Sequence, residues 1–506
     1  MRVPDKGMEN KCLELFIKSM ITINHKKILL LGLGLHGGGV ATARWLHKNS
    51  AKLVISDLRS EKILRPSLDA LAGLKGVKYV IGKHREQDVK WADYIVYNPG
   101  VPKESKYLQL ARRLNKPVYN EASLFFDRCR APIIAVTGTR GKSTTASLIA
   151  AMCEKTIRRT ILAGNIKTAF MLDVVDRAKQ DDLVVLELSS WQLEGLNIVR
   201  AAPHIAVVTN LYPDHLNRYK NLALYYCSKK EIFKHQKEDH FIVLNDEDKI
   251  ARDWQKEVCS RTLLFSKKDH KAVGAFVKAG KIMFRSIANC ANLQRTKRKA
   301  TSPLKANLPR IKDLVVASVK DISLEGAHNL QNALAAITVA KIVGVKNSDI
   351  KKVLKNPPVL SGRQELIANI RGVKYINDTT STTPQAGIAA LDRFSAKGRK
   401  KNIILIAGGA DKGLEYKEWA RLVKKTCKSV YLLTGEASEK MKREFGKTRG
   451  LSDKHNDLGV LVRKISETAK KGDIVLFSPS AASFNLWNHE FERGDDFVKA
   501  VKSLSS

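Results

Sequence analysis

The sequence predicts an α/β protein of three domains, and three observations carry that expectation. The chain has 506 residues, about three domains at the usual 150 or so residues each. Three regions each alternate short apolar runs with glycine-bearing loops and helical patterns, as parallel sheets covered by helices require. Hydrophobic residues make up 44% of the chain and charged residues 27%, enough apolar surface for several cores without disulfides or metals to hold them.

Taken in order, residues 1–25 are expected to be an N-terminal extension, with a helix from Asn10 to Ile23. The first domain, 26–121, carries strand-like runs at Lys26–Gly34, Lys52–Asp57 and Ala92–Gly100. The second, 122–359, opens with APIIAVTGTRGKSTT (Ala131–Thr145) and continues with Asp182–Ser190 and His204–Asn210. Its stretch Ser260–Val319 is basic and poorly periodic, and reads as strands and loops at the edge of that domain. The third, 360–506, contains Gly372–Asp378, Asn402–Asp411, Ser429–Gly435 and Asp473–Ser480.

Several classes are excluded by pattern. No apolar run approaches the roughly 20 residues that span a bilayer, and the first residues lack the apolar segment of a signal peptide. Seven cysteines (Cys12, Cys129, Cys153, Cys227, Cys259, Cys290, Cys427) lie far apart with no CxxC pair. They read as reduced thiols of a cytoplasmic protein. The charge is unusual: 89 Lys+Arg against 50 Asp+Glu leaves +39. Such a surplus suits nucleic acid, but the basic residues are dispersed, with short clusters at Arg295–Lys299 and Arg399–Lys401 and no nucleic-acid-binding motif. A basic surface on an enzyme of anionic substrates is therefore expected, with no nucleic-acid partner and no membrane span.

The strongest motif is Thr137-Gly138-Thr139-Arg140-Gly141-Lys142-Ser143-Thr144, directly after an apolar strand. A glycine-rich turn opening a helix aims backbone N–H groups and the helix dipole at phosphate. Lys142 is placed to reach the terminal phosphates and the Ser143 hydroxyl to meet Mg²⁺. The longer phosphate-loop pattern wants a glycine where Val136 stands, so this is the GxxGKS form. Neighbouring strand ends supply Glu187 and then Asp214-His215, hard ligands converging at the edge where open α/β sheets bind. Gly32-Leu33-Gly34-Leu35-His36-Gly37, with Asp57 closing the next strand, matches GxGxxG followed by an acid. That fingerprint suits NAD and equally the diphosphate of a UDP-sugar.

Together these residues resemble the Mur ligase family. The resemblance spans nearly the whole chain after residue 25, in GLGLHG, YNPGVP, VTGTRGKST, GNIKT, LELSSWQLE, TNLYPDHLNRY, LEGAHNLQN, LSGRQE, YINDTTSTTP, AGGADKG and FSPSAASFNLWNHEFERGDDF. It implies a Rossmann-like first domain for the UDP-substrate, a central P-loop ATPase-type domain, and a Rossmann-like C-terminal domain for an amino acid. The implied enzyme is an ATP-dependent amide-forming ligase of peptidoglycan precursor synthesis. The last segment favours D-glutamate as the amino acid and UDP-N-acetylmuramoyl-L-alanine as the acceptor. A sibling ligase adding another amino acid, or L-glutamate, stays open. A nucleic-acid-binding NTPase is the alternative from a different class.

Position by position, the resemblance assigns the triphosphate to Gly138, Thr139, Arg140, Gly141, Lys142, Ser143 and Thr144, adenine to Asn329 and Asn332, the γ-phosphate to Arg363 and ribose to Asp378. Ser143, Glu187 and His215 would surround two Mg²⁺ ions. Lys229 matches a lysine that relatives carry as a carbamate facing a metal, with Tyr225 and Ile232 setting the register. Lys142, Glu187, His215 and Lys229 would carry the chemistry. Leu35, His36, Asp57, Gly100, Asn165 and His215 would meet the uridine nucleotide, and Thr382, Lys412 and Ser483 the amino acid. A monomer is implied. Three positions depart from the family pattern: Arg140 for asparagine, Thr380 for lysine, and Glu490 for an aromatic residue.

Overall fold

The computed structural model describes residues 21–156, 158–166, 169–214, 218–287, 311–324, 326–395, 401–446, 451–483, 486–487 and 490–504. The chain divides into two compact units. One holds the described residues through Pro132 together with Ala169–Asp182 and Ser190–Ala202. The other holds Ile133–Thr168, Leu183–Ser189 and Pro203–Ser506.

The first unit is built on five parallel strands: β1 (Lys27–Leu31), β2 (Lys52–Asp57), β3 (Lys78–Ile81), β4 (Tyr94–Tyr97) and β5 (Val118–Tyr119), in the order β3-β2-β1-β4-β5. Leu29, Leu31, Val54, Val80, Ile95 and Tyr97 form its core with Val89, Ala92, Leu108 and Ala111. Of the expected helix Asn10–Ile23, residues 10–20 lie outside the described residues, and Ile21–Ile23 are irregular. The Ile21 N–H donates to Asp127 Oδ2 at 2.8 Å and its carbonyl accepts from Arg128, so side chains take the groups a helix would use. Buried Ile21 and Ile23 anchor this lead-in to β1.

The second unit opens with a six-stranded parallel sheet: β6 (Ile133–Thr137), β7 (Thr160–Gly164), β8 (Leu183–Glu187), β9 (Ile205–Val208), β10 (Phe241–Asn245) and β11 (Arg261–Phe265), ordered β11-β10-β9-β6-β8-β7. The next three strands, β12 (Gly274–Lys278), β13 (Lys281–Ile287) and β14 (Ile311–Ser318), make a separate antiparallel sheet. Ala275, Ile282, Phe284 and Val316 join Leu263, Phe265 and the apolar helix Ala327–Val343 in the core of the parallel sheet. The basic cluster 295–299 between β13 and β14 lies outside the described residues.

The last sheet has β15 (Glu365–Ile370), β16 (Val373–Asn377), β17 (Ile403–Gly408), β18 (Cys427–Leu433), β19 (Leu451–His455) and β20 (Ile474–Phe477), ordered β15-β16-β20-β17-β18-β19. Only edge strand β15 runs antiparallel to its neighbour. Alternate residues of β17 serve two cores: Ile403, Leu405 and Ala407 on one face, Ile404 and Ile406 on the other. That explains its unbroken apolar run, since helices cover both faces. No described helix is long and apolar enough to cross a membrane. Cys129, Cys153, Cys227, Cys259 and Cys427 are free thiols.

Candidate functional site

Strand β6 ends at Thr137, and after a four-residue turn the helix Lys142–Cys153 begins, with Gly141 as its N-cap. Two glycines make the turn possible. Gly138 has φ +143° and a Cβ there would sit 1.9 Å from Thr209 Oγ1; Gly141 has φ +78° and its Cβ would sit 2.2 Å from Asn332 Oδ1. The segment after β9 holds the loop. Thr139 N–H donates to Asn210 O at 2.9 Å, Arg140 N–H to Asn210 Oδ1 at 2.8 Å, and Thr209 Oγ1 to Arg140 O at 2.6 Å. Ser143 and Thr144 lie in the first helical turn, Ser143 buried.

Two lysines converge on this loop. Lys142 Nζ donates to Gly138 O at 3.2 Å and Thr139 O at 3.1 Å, while Lys229 Nζ, from the helix Leu222–Lys230, donates to the same Gly138 O at 2.9 Å. Burial depresses both ammonium groups below the ordinary lysine range. Lys229, 2% exposed, is depressed strongly, with the Lys142 charge adding to the effect. For Lys142 the Glu187 carboxylate opposes the shift.

Glu187 ends β8, whose register pairs it with Val136 of β6. Asn165 Nδ2 donates to Glu187 Oε1 at 3.4 Å and Asn165 N–H to Glu187 O at 2.9 Å. Glu187 Oε2 is buried without a hydrogen-bond partner, an acceptor that suits a divalent cation. His215 lies outside the described residues; its neighbour Asp214 pairs with Arg140 at 3.5 Å.

The last sheet reaches the same loop. Arg363 Nη2, just before β15, donates to Ser143 Oγ at 2.8 Å. Asp378, after β16, is buried; Ser478 Oγ donates to its Oδ2 at 2.8 Å and Gln364 N–H to its Oδ1 at 3.2 Å. Burial outweighs these bonds and pushes its carboxyl up to about 7. Asn332 Nδ2 donates to Asn329 Oδ1 at 3.3 Å; both are buried, and Asn332 lies against Gly141. Lys412 Nζ donates to Thr382 Oγ1 at 3.3 Å, and Ser483 is buried with its hydroxyl unpartnered.

Sequence reasoning passed over three groups. Thr383 caps the helix Pro384–Phe394 and accepts from Arg140 Nη2 at 2.8 Å; the Thr-Pro pair was the available signal. Ser478 holds Asp378. Arg493 is fully buried, donating to Thr379 O at 2.8 Å and Ala481 O at 3.1 Å, and burial lowers it to about 10.

In the first unit, Gly32, Gly34 and Gly37 all have positive φ, at 88°, 69° and 84°. The helix Gly38–Lys48 follows them. Asp57 Oδ2 accepts from Leu33 N–H and Gly34 N–H at 2.9 Å each, and Oδ1 from Arg59 N–H at 2.9 Å, so this acid shapes the glycine loop. Gly100 N–H donates to Asn98 Oδ1 at 3.0 Å, and Asn98 packs against Gly32 and Gly34. Leu35 is half-buried and His36 exposed. Leu35, His36, Asp57 and Gly100 therefore share one loop cluster, whereas Asn165 belongs to the other unit.

Three family models match the chain: Mur ligase MurD-like N-terminal domain over residues 26–120, Mur ligase middle domain over 136–340, and Mur ligase glutamate ligase domain over 362–481. A UDP-N-acetylmuramoylalanine--D-glutamate ligase of Roseiflexus sp. is 36% identical over 490 residues, covering 95% of this chain and 99% of that protein. The ligase of the same name from Clostridioides difficile is 32% identical over 482 residues, covering 95% and 99%. Among solved structures, a murein peptide ligase from Psychrobacter arcticus shares the fold at TM-score 0.53 and 16% identity, covering 94% of this chain and 98% of that one. A MurF ligase from Thermotoga maritima in complex with ADP does so at TM-score 0.51 and 18% identity, covering 95% and 96%. With relatives of this identity aligned along nearly its whole length, the chain belongs to the Mur ligase family.

Proposed function

We propose that this protein is an ATP-dependent ligase that joins D-glutamate to UDP-N-acetylmuramoyl-L-alanine in peptidoglycan precursor synthesis. The relatives named for that reaction cover 95% of the chain and supply the substrates. The geometric observation that carries the proposal is the meeting of Arg363 with Ser143, which brings a cation from the last sheet onto the phosphate loop.

The chemistry asks for positioning and charge neutralisation, not a covalent nucleophile. The acceptor's carboxylate oxygen attacks the γ-phosphorus of ATP, the bond to ADP breaks, and an acyl phosphate forms. The glutamate amine then attacks that carbonyl carbon, inorganic phosphate departs and the amine loses a proton. Gly138 to Thr144 would cradle the phosphates, Lys142 and Arg363 would offset their charge, and Asn329, Asn332 and Asp378 would hold the nucleoside. Leu35, His36, Asp57, Gly100 and Asn165 would receive the uridine nucleotide; Thr382, Lys412 and Ser483 would receive glutamate.

Ser143, Glu187 and His215, with Lys229 as a carbamate, would hold two Mg²⁺ ions, which supply neutralisation of phosphate charge when bound. The unpartnered Glu187 oxygen supports this donor set. So does a buried Lys229 whose ammonium is disfavoured by burial and by the Lys142 charge. We divide the chain at 26–121, 122–359 and 360–506, and place the enzyme in the cytoplasm, where ATP is available, acting as a monomer without a polynucleotide partner.

The test is phosphate release from ATP with the uridine-nucleotide acceptor and a panel of D- and L-amino acids. D-Glutamate-dependent release that also needs the acceptor is the expected result. Release stimulated by DNA or RNA and indifferent to the uridine nucleotide would overturn the proposal.

A further inference from the structure

The Arg140 side chain does not build the phosphate loop it belongs to. Its backbone N–H and carbonyl are held by Asn210 and Thr209 at 2.8 and 2.6 Å, which fixes the loop without the guanidinium. The side chain instead crosses to the last sheet, donating to Thr383 Oγ1 at 2.8 Å and facing Asp214 Oδ2 at 3.5 Å. It remains 37% exposed, so a ligand can reach it.

On the next residue, Thr382 Oγ1 accepts from Lys412 at 3.3 Å. Two cations thus end on adjacent threonine hydroxyls, from opposite sheets of the same unit. Lys412 is depressed chiefly by burial, with Asp214 and Glu490 opposing the shift and Arg140 and Arg493 adding to it, so these charges share one field. Thr380 brings no cation there; its hydroxyl donates to Gly362 O at 3.0 Å. Three cations, Arg140, Lys412 and Arg493, thus face two acids, Asp214 and Glu490, and the remaining positive charge suits a further anion. Lys142 and Lys229 donate to Gly138 O and not to these threonines.

We propose that the Arg140 guanidinium, together with Lys412, binds a carboxylate of the incoming amino acid and helps set which amino acid is accepted. This rests on the ligase function proposed above. Arginine suits the task because its planar fork meets a carboxylate through two parallel N–H donors.

The test compares wild type with Arg140→Gln and Arg140→Lys, measuring KM separately for D-glutamate, ATP and the uridine nucleotide. Thermal unfolding of each variant serves as the fold control. Arg140→Gln is expected to raise KM for D-glutamate about ten-fold or more. KM for ATP should stay within about two-fold, and Arg140→Lys should fall between wild type and Arg140→Gln. D-Glutamine and the α-amide of D-glutamate, each lacking one carboxylate, are then measured as competitors. The analogue missing the carboxylate that Arg140 holds should bind wild type and Arg140→Gln equally. An effect confined to KM for ATP, or to kcat, or no effect, overturns the inference and leaves the ligase function standing. A wild-type enzyme that turns over no amino acid overturns both.

Discussion

Arg363 Nη2 sits 2.8 Å from Ser143 Oγ across 220 residues of sequence, tying the edge of the last sheet to the first turn of the phosphate-loop helix. In the proposed reaction the two residues would meet the negative charge of the transferring phosphoryl group, so the guanidinium is expected to act on the transition state more than on nucleotide affinity. Arg363→Ala should lower kcat for phosphate release by about 10²–10³-fold. KM for the uridine nucleotide should hardly move. Arg363→Lys should recover only part of the rate, since an ammonium cannot offer two parallel donors. A kcat within a few-fold of wild type in the alanine variant would remove Arg363 from the phosphoryl-transfer site.

Lys142 lies against two loop carbonyls, and burial disfavours its charge. Lys142→Ala removes a cation that is costly to bury, so thermal stability should hold or rise slightly. Turnover should be lost, because the loop's other cation, Arg140, is engaged by Thr383 and Asp214. Phosphate release and a melting curve on the same preparation check both halves. A well-folded variant with near-normal release would refute the assignment.

Several ends of the parallel strands were legible because the apolar run stops at or next to a glycine or an acid. Val136 before Gly138, Leu186 before Glu187 and Ser56 before Asp57 mark sheet edges by composition alone. Interactions that depend on how sheets dock were not legible. Thr383 meets Arg140 across 243 residues, and no local pattern encodes that distance. Arg493 looked like one more charge on a polar helix, yet it is fully buried and bonded to backbone carbonyls around Thr379. At Ile21 the capture of the backbone by Asp127 and Arg128, 106 and 107 residues away, was equally beyond local reading. Asp57 was legible as part of the fingerprint, while its engagement with the Leu33 and Gly34 amides required coordinates.

Lys229 donates to Gly138 O from a buried position where its ammonium is strongly disfavoured. Addition of CO₂ to the amine, with loss of a proton, would exchange that disfavoured cation for an anion suited to the proposed Mg²⁺ site. Lys229→Ala should therefore be inactive, and millimolar acetate or formate should restore part of the rate by standing in for the carbamate. Rate measured against added small carboxylic acid is the readout. A fully active alanine variant would eliminate the carbamate.

Asp378 gives a pH dependence of definite sign. Its carboxyl is raised from 3.8 to about 7, chiefly by burial, with Ser478, the Gln364 N–H, Arg363 and Arg393 only partly offsetting. Below about pH 4 both folded and unfolded chains hold the proton, and the group's stabilisation is fully present. Between about pH 4 and 7 the folded chain binds more proton than the unfolded one, so stability falls as pH rises and levels off above 7. Asp378→Asn keeps the shape without the ionisation. Relative to wild type it should gain stability progressively across that window and keep the gain above it, on the order of a few kcal/mol at most. Denaturant midpoints at pH 5, 6, 7 and 8 measure the difference. The same variant should raise KM for ATP about ten-fold, because an amide oxygen is a weaker acceptor for ribose hydroxyls than a carboxylate. Asp378→Asn losing stability relative to wild type as pH rises would mean that the carboxylate is charged and held by Arg363 and Arg393, reversing the sign argued here.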